Sequence, residues 1–556
     1  MEFSQISVLL VVAAIAGIIV RNLKQPLLIG YLFAGFVLAT FGLVTDIEVF
    51  SGLGQIGVAL LLFLLGLEMN LRELPSIGKV ALLTGIGQIT FTSLIGFLIA
   101  SALGFGLLPA IYIAIALTFS STIIMVKLLS EKKDLGSLYG RIAVGFLLVQ
   151  DFVAIAILML LSGLGNEGLT GFSFAAIALK AIVLFSLVWV LSKKVLPNLF
   201  ERFVASSPEL LFIVSIAWAL GFASFVAGPL GFTLEIGGFL AGLALSNLSE
   251  HLQIAARTRP LRDFFLTIFF LLLGTKLLLG NLGAIVVPSL IFSSFVLIGN
   301  PLIVLIILGA LGYKKRTSFL AGLTVAQISE FSFILMAMGL MLGHVTEGDV
   351  SVVILVGAIT MTVSTYLILG AEKIYARVKG YLSLFEKDTT HEATLLEEIP
   401  LTQHVVLIGC GRTGSHIISY FKKKKWPFLV VDFNPKVFNR LVAEGIPVLF
   451  GDIGDEDVAK LTQIDKAKMV ISTTSQLADN LALLEHVRGI KSRPVTIMTA
   501  RTVDESIKYY EKGADYVLLP QAIAGEHLRH LLSAYGTSGE KFSKIGKSHF
   551  NRLILK

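Results

Sequence analysis

Cysteine is nearly absent from this sequence, since Cys410 is the only one among 556 residues. A single thiol excludes an intrachain disulfide and any transition-metal site built from several thiolates. Charged residues are also scarce, at 15% of the chain, whereas 55% of the residues are hydrophobic. This imbalance disfavours an ordinary soluble protein and is typical of a chain that crosses a lipid bilayer.

The hydrophobic residues are unevenly distributed. Apolar runs fill the chain up to about residue 378, and the later residues are typical of a soluble domain. We predict a membrane domain over 1–380, a polar, acidic linker over 381–402, a nucleotide-binding domain over 403–535 and a tail over 536–556. The first run lacks a basic leader and a small-residue cleavage site, so we expect no cleaved signal peptide.

The membrane domain contains thirteen apolar runs of membrane-spanning length. They predict an α-helical polytopic domain with about 13 transmembrane helices. The runs lie near residues 3–20, 27–44, 53–69, 79–103, 109–129, 139–163, 172–192, 208–227, 231–247, 262–280, 285–312, 317–343 and 350–372.

Basic residues are missing from the even-numbered loops between these runs. The odd-numbered loops contain them, for example Arg21 and Lys24 after the first run and Lys314 and Lys315 after the eleventh. Because cytoplasmic loops carry an excess of Lys and Arg, we predict a bacterial-type inner (plasma) membrane protein with its N-terminus outside and its C-terminal domain in the cytoplasm. The net charge of +7 is then mainly a topology signal, and it does not indicate nucleic acid.

Asp151 follows Gln150 in the middle of the sixth apolar run. A carboxylate at the bilayer centre costs about 2.5–3.5 kcal/mol, and such residues mark ion and proton pathways. Asp151 is therefore the predicted carrier site, where a proton and a monovalent cation exclude each other. Since Gln150 is neutral, exchange at one carboxylate suggests an electroneutral process. The alternative is a structural Asp that bonds to a neighbouring helix.

Two other runs have polar centres that disturb a helix, at 118–122 in the fifth run and 324–330 in the twelfth. Broken helices that face an ion are a recurring device in transporters. If runs 1–6 and 8–13 are inverted repeats, these two segments occupy equivalent positions beside Asp151. Ser120, Ser121 and Thr122 are predicted to offer oxygens to the cation. Glu330 lines the cavity or supports the structure.

The soluble part opens with a glycine pattern between a predicted strand at 404–408 and a predicted helix. The pattern is G-x-G-x-x-G at Gly409, Gly411 and Gly414, and Asp432 ends the second predicted strand. Glycines at this spacing let a pyrophosphate approach a helix N-terminus, and the acid accepts from a ribose hydroxyl. The candidate cofactor-binding residues are Gly409, Gly411, Arg412, Thr413, Gly414, Asp432, Asp452 and Arg501.

Further predicted strands alternate with helices and indicate a parallel, Rossmann-like α/β sheet. They lie at 428–431, 447–450, 468–472, 494–499 and 516–519. No His–acid or Lys–Tyr arrangement for hydride transfer accompanies them. We therefore predict a nucleotide sensor and no enzyme.

The chain resembles the Kef-type potassium:proton antiporters of the cation:proton antiporter-2 family over nearly its whole length. The matching motifs are Phe63-x-x-Gly66-Leu-Glu68, Thr118-Phe-Ser-Ser-Thr122, Gln150-Asp151, Gly238-Phe-Leu-Ala-Gly242, Phe269-Phe-x-x-x-Gly274, Ser329-Glu330-Phe331 and Gly409-x-Gly-Arg-x-Gly414.

The resemblance implies an inverted-repeat fold similar to NhaA- and NapA-type antiporters, with a core and a dimerisation domain. It implies K+ and H+ as substrates, with K+ bound at Asp151, because Gln-Asp in this family goes with potassium over sodium. Elevator-like alternating access, homodimers with paired nucleotide domains of the RCK or TrkA-N type, and regulation by AMP or an NAD(H)-type nucleotide are implied as well.

The chain departs from the family pattern in two places, the loop 249–257 and Lys276. Arg412 and Arg501 align with residues that bind glutathione in gated members, but the loop 249–257 lacks the His-Ala-Leu motif of those members. Glutathione gating therefore stays open. Lys276 replaces a small or apolar residue, and it acts either as a counter-ion or as a cation that reaches the outer surface.

Three alternative functions stay open at this point. Sodium:proton exchange could use the same machinery, and similar nucleotide domains also regulate cation channels. The chain has no TVGYG-like selectivity filter. A membrane-bound oxidoreductase lacks its catalytic residues here.

Overall fold

The structure is a computed structural model. It describes residues 3–42, 50–68, 78–163, 183–184, 186–204, 207–228, 232–277, 282–386, 402–474 and 476–554. The chain divides into two compact units that meet in the sequence near residue 387.

Helices make up the described parts of the membrane unit. They are α1 (Phe3–Asn22), α2 (Leu27–Thr40), α3 (Ser51–Glu68), α4 (Gly78–Ala102), α5 (Leu107–Ala116), α6 (Thr122–Glu131), α7 (Leu138–Gly163), α8 (Leu196–Leu199, between π-helical turns Leu191–Val195 and Phe200–Val204), α9 (Pro208–Ala227), α10 (Leu234–Leu245), α11 (His251–Thr275), α12 (Leu282–Ser294), α13 (Asn300–Ala310, joined to α12 by the π-helical Phe295–Gly299), α14 (Lys315–Leu323), α15 (Glu330–Met341), α16 (Glu347–Leu369) and α17 (Ala371–Leu382).

Within the described residues, 6 helical segments are long and apolar enough to cross a membrane, and several shorter apolar helices accompany them. This confirms an α-helical polytopic membrane domain. The count of thirteen stays a prediction, because most of the seventh run lies outside the described residues. The tenth run belongs to a longer helix, since α11 already begins at His251, inside the predicted loop that precedes the run.

The membrane helices form two groups according to their packing partners. In the first group, α3 packs against α10 and α11, and α2 packs against α1 and α11. In the second group, α4 packs against α5 and α13, and α16 packs against α12 and α15. The close approach of α3 and α10 requires glycine, because a Cβ on Gly242 would overlap the carbonyl oxygen of Phe63.

The C-terminal unit contains one six-stranded parallel sheet with strand order β3-β2-β1-β4-β5-β6. The strands are β1 (Val405–Ile408), β2 (Phe428–Asp432), β3 (Val448–Phe450), β4 (Met469–Ser472), β5 (Val495–Thr499) and β6 (Tyr516–Leu518). This order is that of the doubly wound nucleotide-binding fold, with a crevice at the carboxyl ends of β1 and β4. All six predicted strands are confirmed.

Helices follow the strands, and the two faces of the sheet are covered by separate apolar clusters. These helices are α18 (Arg412–Lys424), α19 (Pro435–Ala443), α20 (Glu456–Leu461), α21 (Leu477–Arg488), α22 (Val503–Glu511), α23 (Pro520–Tyr535) and α24 (Gly539–Ile554). The predicted tail over 536–556 is therefore largely helical. The linker lies mostly outside the described residues.

Candidate functional site

Two broken helices provide the framework of the membrane site. The fifth run is interrupted between α5 and α6, and the twelfth between α14 and α15. Hydroxyl groups cap both second halves, because Ser121 accepts from the N–H of Ile124 at 3.3 Å and Ser329 accepts from the N–H of Phe331 at 3.3 Å. The polar sequences thus break the helices as predicted, and each break exposes a helix N-terminus, which favours negative charge.

The two breaks contact each other directly. Ser332 donates to the carbonyl oxygen of Ala116 at 2.6 Å, and Ser121 donates to Oε1 of Glu330 at 3.3 Å. Ser120 donates more weakly, at 3.5 Å, to the carbonyl oxygen of Val325. Backbone groups freed by the breaks are therefore satisfied inside the protein, as the membrane interior requires.

Asp151 belongs to α7, lies next to the N-terminal end of α6 and is only 3% exposed. Thr122, the first residue of α6, donates to its Oδ2 at 3.0 Å. Because Ser121 donates to Glu330 and the adjacent Thr122 donates to Asp151, two consecutive hydroxyl groups at the start of α6 contact the two carboxylates. In the part of the chain that the structure describes, neither acid pairs with a Lys, Arg or His.

Gln150 has both ends of its amide engaged. Its Nε2 donates to Oε1 of Gln88 at 2.6 Å, and its Oε1 accepts from the backbone N–H of Ser120 at 3.3 Å. The side chain is 1% exposed. Gln150 therefore braces the broken fifth run next to Asp151, and a direct role as a cation ligand stays a prediction.

Three residues of this site were missed by the sequence argument: Gln88, Thr92 and Asn300. Gln88 donates to Thr92 at 3.1 Å and to the carbonyl oxygen of Thr118 at 3.2 Å. Thr92 donates to Oδ1 of Asn300 at 2.9 Å, and Asn300 donates to the carbonyl oxygen of Leu117 at 3.1 Å. Gln88 and Asn300 could have been noticed in the sequence, because a polar amide within an apolar run needs hydrogen-bond partners when it is buried.

Lys276 lies at the end of α11, where its Nζ is 2.9 Å from Oε1 of Glu347 on α16. Both side chains are well exposed. The prediction that Lys276 reaches toward the surface fits this position, and the structure supplies a partner that the sequence argument did not name. Lys276 is no counter-ion of Asp151 or Glu330 here.

The predicted nucleotide site is formed by the turn from β1 to α18. Gly409 adopts φ +81°, a left-handed conformation that favours glycine. A Cβ on Gly414 would overlap the carbonyl oxygen of Gly409, so this glycine permits the close contact of helix and strand. Around Gly411 nothing lies within 4 Å of an added Cβ, which leaves an open approach to the N-terminus of α18.

The acidic candidates are occupied by backbone contacts. Asp432 accepts from the N–H of Cys410 at 2.7 Å and from that of Asn434 at 2.8 Å. Asp452 accepts from the N–H of Gly454 at 2.9 Å. Each carboxylate oxygen retains lone pairs beyond these bonds. Burial raises the pKa of the Cys410 thiol, so this side chain stays protonated and uncharged beside the site.

The remaining candidates lie at the surface. Thr413 and the side chain of Arg501 are exposed, and the N–H of Arg501 donates to Oε2 of Glu505 at 2.9 Å. The side chain of Arg412 lies outside the described part of the structure. Among the described residues, no group of three or more His, Cys, Asp or Glu is placed to hold a metal ion.

Two protein-family models match this chain. The family model described as "Sodium/hydrogen exchanger, transmembrane" matches residues 9–369, and the model described as "TrkA-N domain" matches residues 405–520. Since the first match covers more than half of the chain, the chain belongs to the sodium/hydrogen exchanger family. It is an integral membrane transporter with a C-terminal TrkA-N domain.

Two relatives match almost the whole chain. A putative cation/proton antiporter, YbaL of Escherichia coli K12, is 27% identical over 94% of this chain and 96% of its own length. A putative K+ efflux antiporter, KefB of Alkalimonas amylolytica, is 27% identical over 95% of this chain and 81% of its own length. Within the exchanger family, the chain is thus a Kef-type antiporter of the cation:proton antiporter-2 group.

One solved structure supports the membrane fold. The sodium proton antiporter MjNhaP1 of Methanocaldococcus jannaschii aligns with a TM-score of 0.50 at 16% identity, over 68% of this chain and 96% of its own. At that identity the likeness shows the fold alone. The two relatives and MjNhaP1 all carry the name antiporter.

Proposed function

We propose that this protein exchanges K+ for H+ across the membrane, with Asp151 as the single site that binds them alternately. The main support for this proposal is the buried carboxylate of Asp151 at the crossing of two broken helices. It accepts a hydrogen bond from the hydroxyl of Thr122 and has no basic partner among the described residues. A carboxylate without a fixed cation needs a mobile one, and either a proton or an alkali ion supplies it.

Oxygen ligands are available around Asp151. The hydroxyls of Thr122, Ser121 and Ser120 and the carboxylate of Glu330 all lie at the crossing. Oxygen donors suit alkali cations, and the N-termini of α6 and α15 favour the acids when the cation is absent. Potassium is proposed as the cation because the Gln150–Asp151 pair matches the Kef-type motif and because the Alkalimonas relative is named a K+ efflux antiporter.

Exchange of one cation for one proton at one carboxylate is electroneutral. The proposed movement is alternating access, in which the helix group with α4, α5 and α13 shifts against the group with α2, α3 and α11. In this movement α7 accompanies α4, because Gln150 donates to Gln88. The separate packing of these groups supports such a movement.

The decisive experiment is cation-dependent proton flux in proteoliposomes that contain a pH dye. Potassium should dissipate an imposed pH gradient, and clamping the membrane potential at zero or at −100 mV should leave the rate unchanged. Sodium at the same concentration should be less effective. Equal rates with sodium would instead support sodium:proton exchange, and current without proton movement would support a channel.

We also propose that an adenine nucleotide, AMP or an NAD(H)-type dinucleotide, binds the C-terminal domain and regulates exchange. The parallel sheet, the open approach at Gly411 and the acid at the end of β2 support this assignment. The phosphates would lie at the N-terminus of α18, and Asp432 would accept from a ribose hydroxyl. Arg412, Thr413, Asp452 and Arg501 are proposed to complete the site.

A contact at the start of the linker supports regulation of the membrane site. Glu386 lies 2.8 Å from Nζ of Lys314 and 3.5 Å from Nζ of Lys315, and all three side chains are largely buried. Lys315 begins α14, the helix that leads into the break beside Glu330. A displacement of the linker would therefore act directly on the broken twelfth run.

The remaining parts of the proposal concern organisation. We propose a homodimer with its N-terminus outside and the C-terminal domain in the cytoplasm of a bacterial-type plasma membrane. The domain limits are proposed as 1–380, 381–402, 403–535 and 536–556. Glutathione stays an open alternative ligand, because Arg412 and Arg501 align with glutathione-binding residues although the loop 249–257 lacks the motif of gated members; binding calorimetry with glutathione tests this.

A further inference from the structure

A cavity of about 330 Å³ opens between α1, α2 and α11, away from the proposed ion site. One face of α1 forms its long side, from Leu10 through Gly17 to Arg21. Tyr31 of α2 and Phe264 of α11 form the opposite walls. Its volume lies in the usual range for ligand pockets, about 300–1,000 Å³.

The length of the cavity matches one leaflet of a bilayer. At 1.5 Å per residue, the stretch of α1 from Leu10 to Arg21 extends about 16 Å. The hydrocarbon core of a bilayer is about 30 Å thick, so one leaflet contributes about 15 Å. The cavity therefore runs from about the bilayer centre to the interface at which α1 ends.

Small side chains make room along this face. Ala13, Ala14 and Gly17 line the cavity, and a Cβ on Gly17 would meet only side-chain atoms of Tyr31 and Leu27, at 3.7 Å or more. The lining is otherwise apolar apart from a few groups. Among these, the hydroxyl of Thr267 already donates to the carbonyl oxygen of Asp263. An acyl chain is the apolar ligand that fits an open channel of this shape within a bilayer.

Arg21 is the only Lys or Arg among the lining residues, and it stands at the end of α1. Its guanidinium has no acidic partner among the described residues, and the exposed Lys24 follows it. By contrast, Arg262 on α11 is paired with Asp263 at 2.7 Å. A guanidinium binds a phosphate through two parallel hydrogen bonds. Basic pockets between helices at the cytoplasmic side favour anionic headgroups.

We propose that this cavity binds an anionic phospholipid of the cytoplasmic leaflet. One acyl chain lies along α1 between α2 and α11, and the phosphate pairs with Arg21. Lys24 adds a second positive charge near the headgroup, which favours a lipid with net negative charge over a zwitterionic one. The site is independent of the proposed cation exchange at Asp151.

The test compares lipid retention by the purified full-length protein, measured by native mass spectrometry after reconstitution with phosphatidylglycerol or phosphatidylcholine. The wild type should retain one phosphatidylglycerol and little phosphatidylcholine. Arg21→Gln should lower phosphatidylglycerol retention about fivefold, the effect of one interfacial cation. Arg257→Gln, which removes an exposed cation outside the cavity lining, should retain the lipid as the wild type does.

A second variant tests the channel itself. Gly17→Leu keeps Arg21 but fills the cavity, and it should also reduce retention, with circular dichroism and a monodisperse elution profile confirming folding. Equal retention of both lipids by the wild type, or unchanged retention in Arg21→Gln, would overturn the proposal. So would efficient disulfide formation between copies of an Ile18→Cys, Cys410→Ser protein, because a second chain would then cover the cavity.

Discussion

Gly411 and Gly414 lie within one turn of each other at the start of α18, and a methyl group should affect them in different ways. A Cβ on Gly414 would overlap the carbonyl oxygen of Gly409 and lie 3.1 Å from its carbonyl carbon. The backbone must shift to relieve this overlap, so we expect Gly414→Ala to cost about 1–3 kcal/mol of the stability of the C-terminal domain.

Gly411 presents the opposite case. Nothing lies within 4 Å of an added Cβ, so no neighbouring atom has to move to admit a methyl group. Alanine would restrict the unfolded chain, which stabilises by about 0.4–1 kcal/mol, whereas alanine is a poorer N-cap residue than glycine by about 0.5–1 kcal/mol. We therefore expect stability within about 0.5 kcal/mol of the wild type. The methyl would stand in the open approach to the helix N-terminus, so nucleotide binding should weaken about tenfold or more, or about 1.4 kcal/mol.

The assay must separate stability from binding in the full-length protein. Trp426 is the only tryptophan of the C-terminal domain, because the other two are Trp189 and Trp218. With those two replaced by Phe, denaturant titration of Trp426 fluorescence reports the unfolding of this domain. Calorimetry with AMP and with NADH reports binding. Equal destabilisation by Gly411→Ala and Gly414→Ala, or wild-type binding by Gly411→Ala, would refute the reasoning.

Four further predictions follow from the same contacts. Asp151→Asn should abolish proton flux in proteoliposomes while Thr122 keeps its hydrogen bond and the protein stays folded; retained flux would contradict the carrier role. Gln88→Leu should leave the buried amide donor of Gln150 unpaired and lower the free energy of unfolding by about 1–3 kcal/mol; an unchanged thermal unfolding curve would contradict the role of Gln88 as its partner. Glu386→Gln should keep basal flux and reduce its response to nucleotide, and an unchanged response would count against the linker contact. Burial lowers the pKa of His404 below 6.5. The stabilising contribution of neutral His404 should therefore be lost as the pH falls below about 6.5, because the unfolded chain then binds a proton that the folded domain does not. His404→Gln should reduce the loss of domain stability between about pH 7.5 and 5.5.

Elements that local chemistry decides could be predicted from the sequence. Six short apolar runs that alternate with helices indicate a parallel sheet, and the polar centres of the fifth and twelfth runs indicate breaks in helices that cross an apolar medium. Contacts between distant segments could not be predicted in this way. Asn300 reaches Thr92 and the carbonyl oxygen of Leu117 from another helix, and nothing in the local pattern names such partners.

Asp151 shows how the two sources divide. The sequence by itself determined that this carboxylate lies within an apolar run, because hydropathy and the cost of a buried charge are properties of the chain. It likewise determined the alternation of short strands with helices and the glycine pattern at 409–414 that a nucleotide fold needs. Only the tertiary structure decided that Thr122 is the partner of Asp151 and that the amide of Gln150 bonds to Gln88 and to the backbone of the broken fifth run. It also decided that no basic side chain among the described residues neutralises Asp151. The physical reason is that burial in a membrane follows from composition along the chain. Hydrogen-bond partners depend instead on which helices pack together and on which residues then lie at the same depth in the membrane.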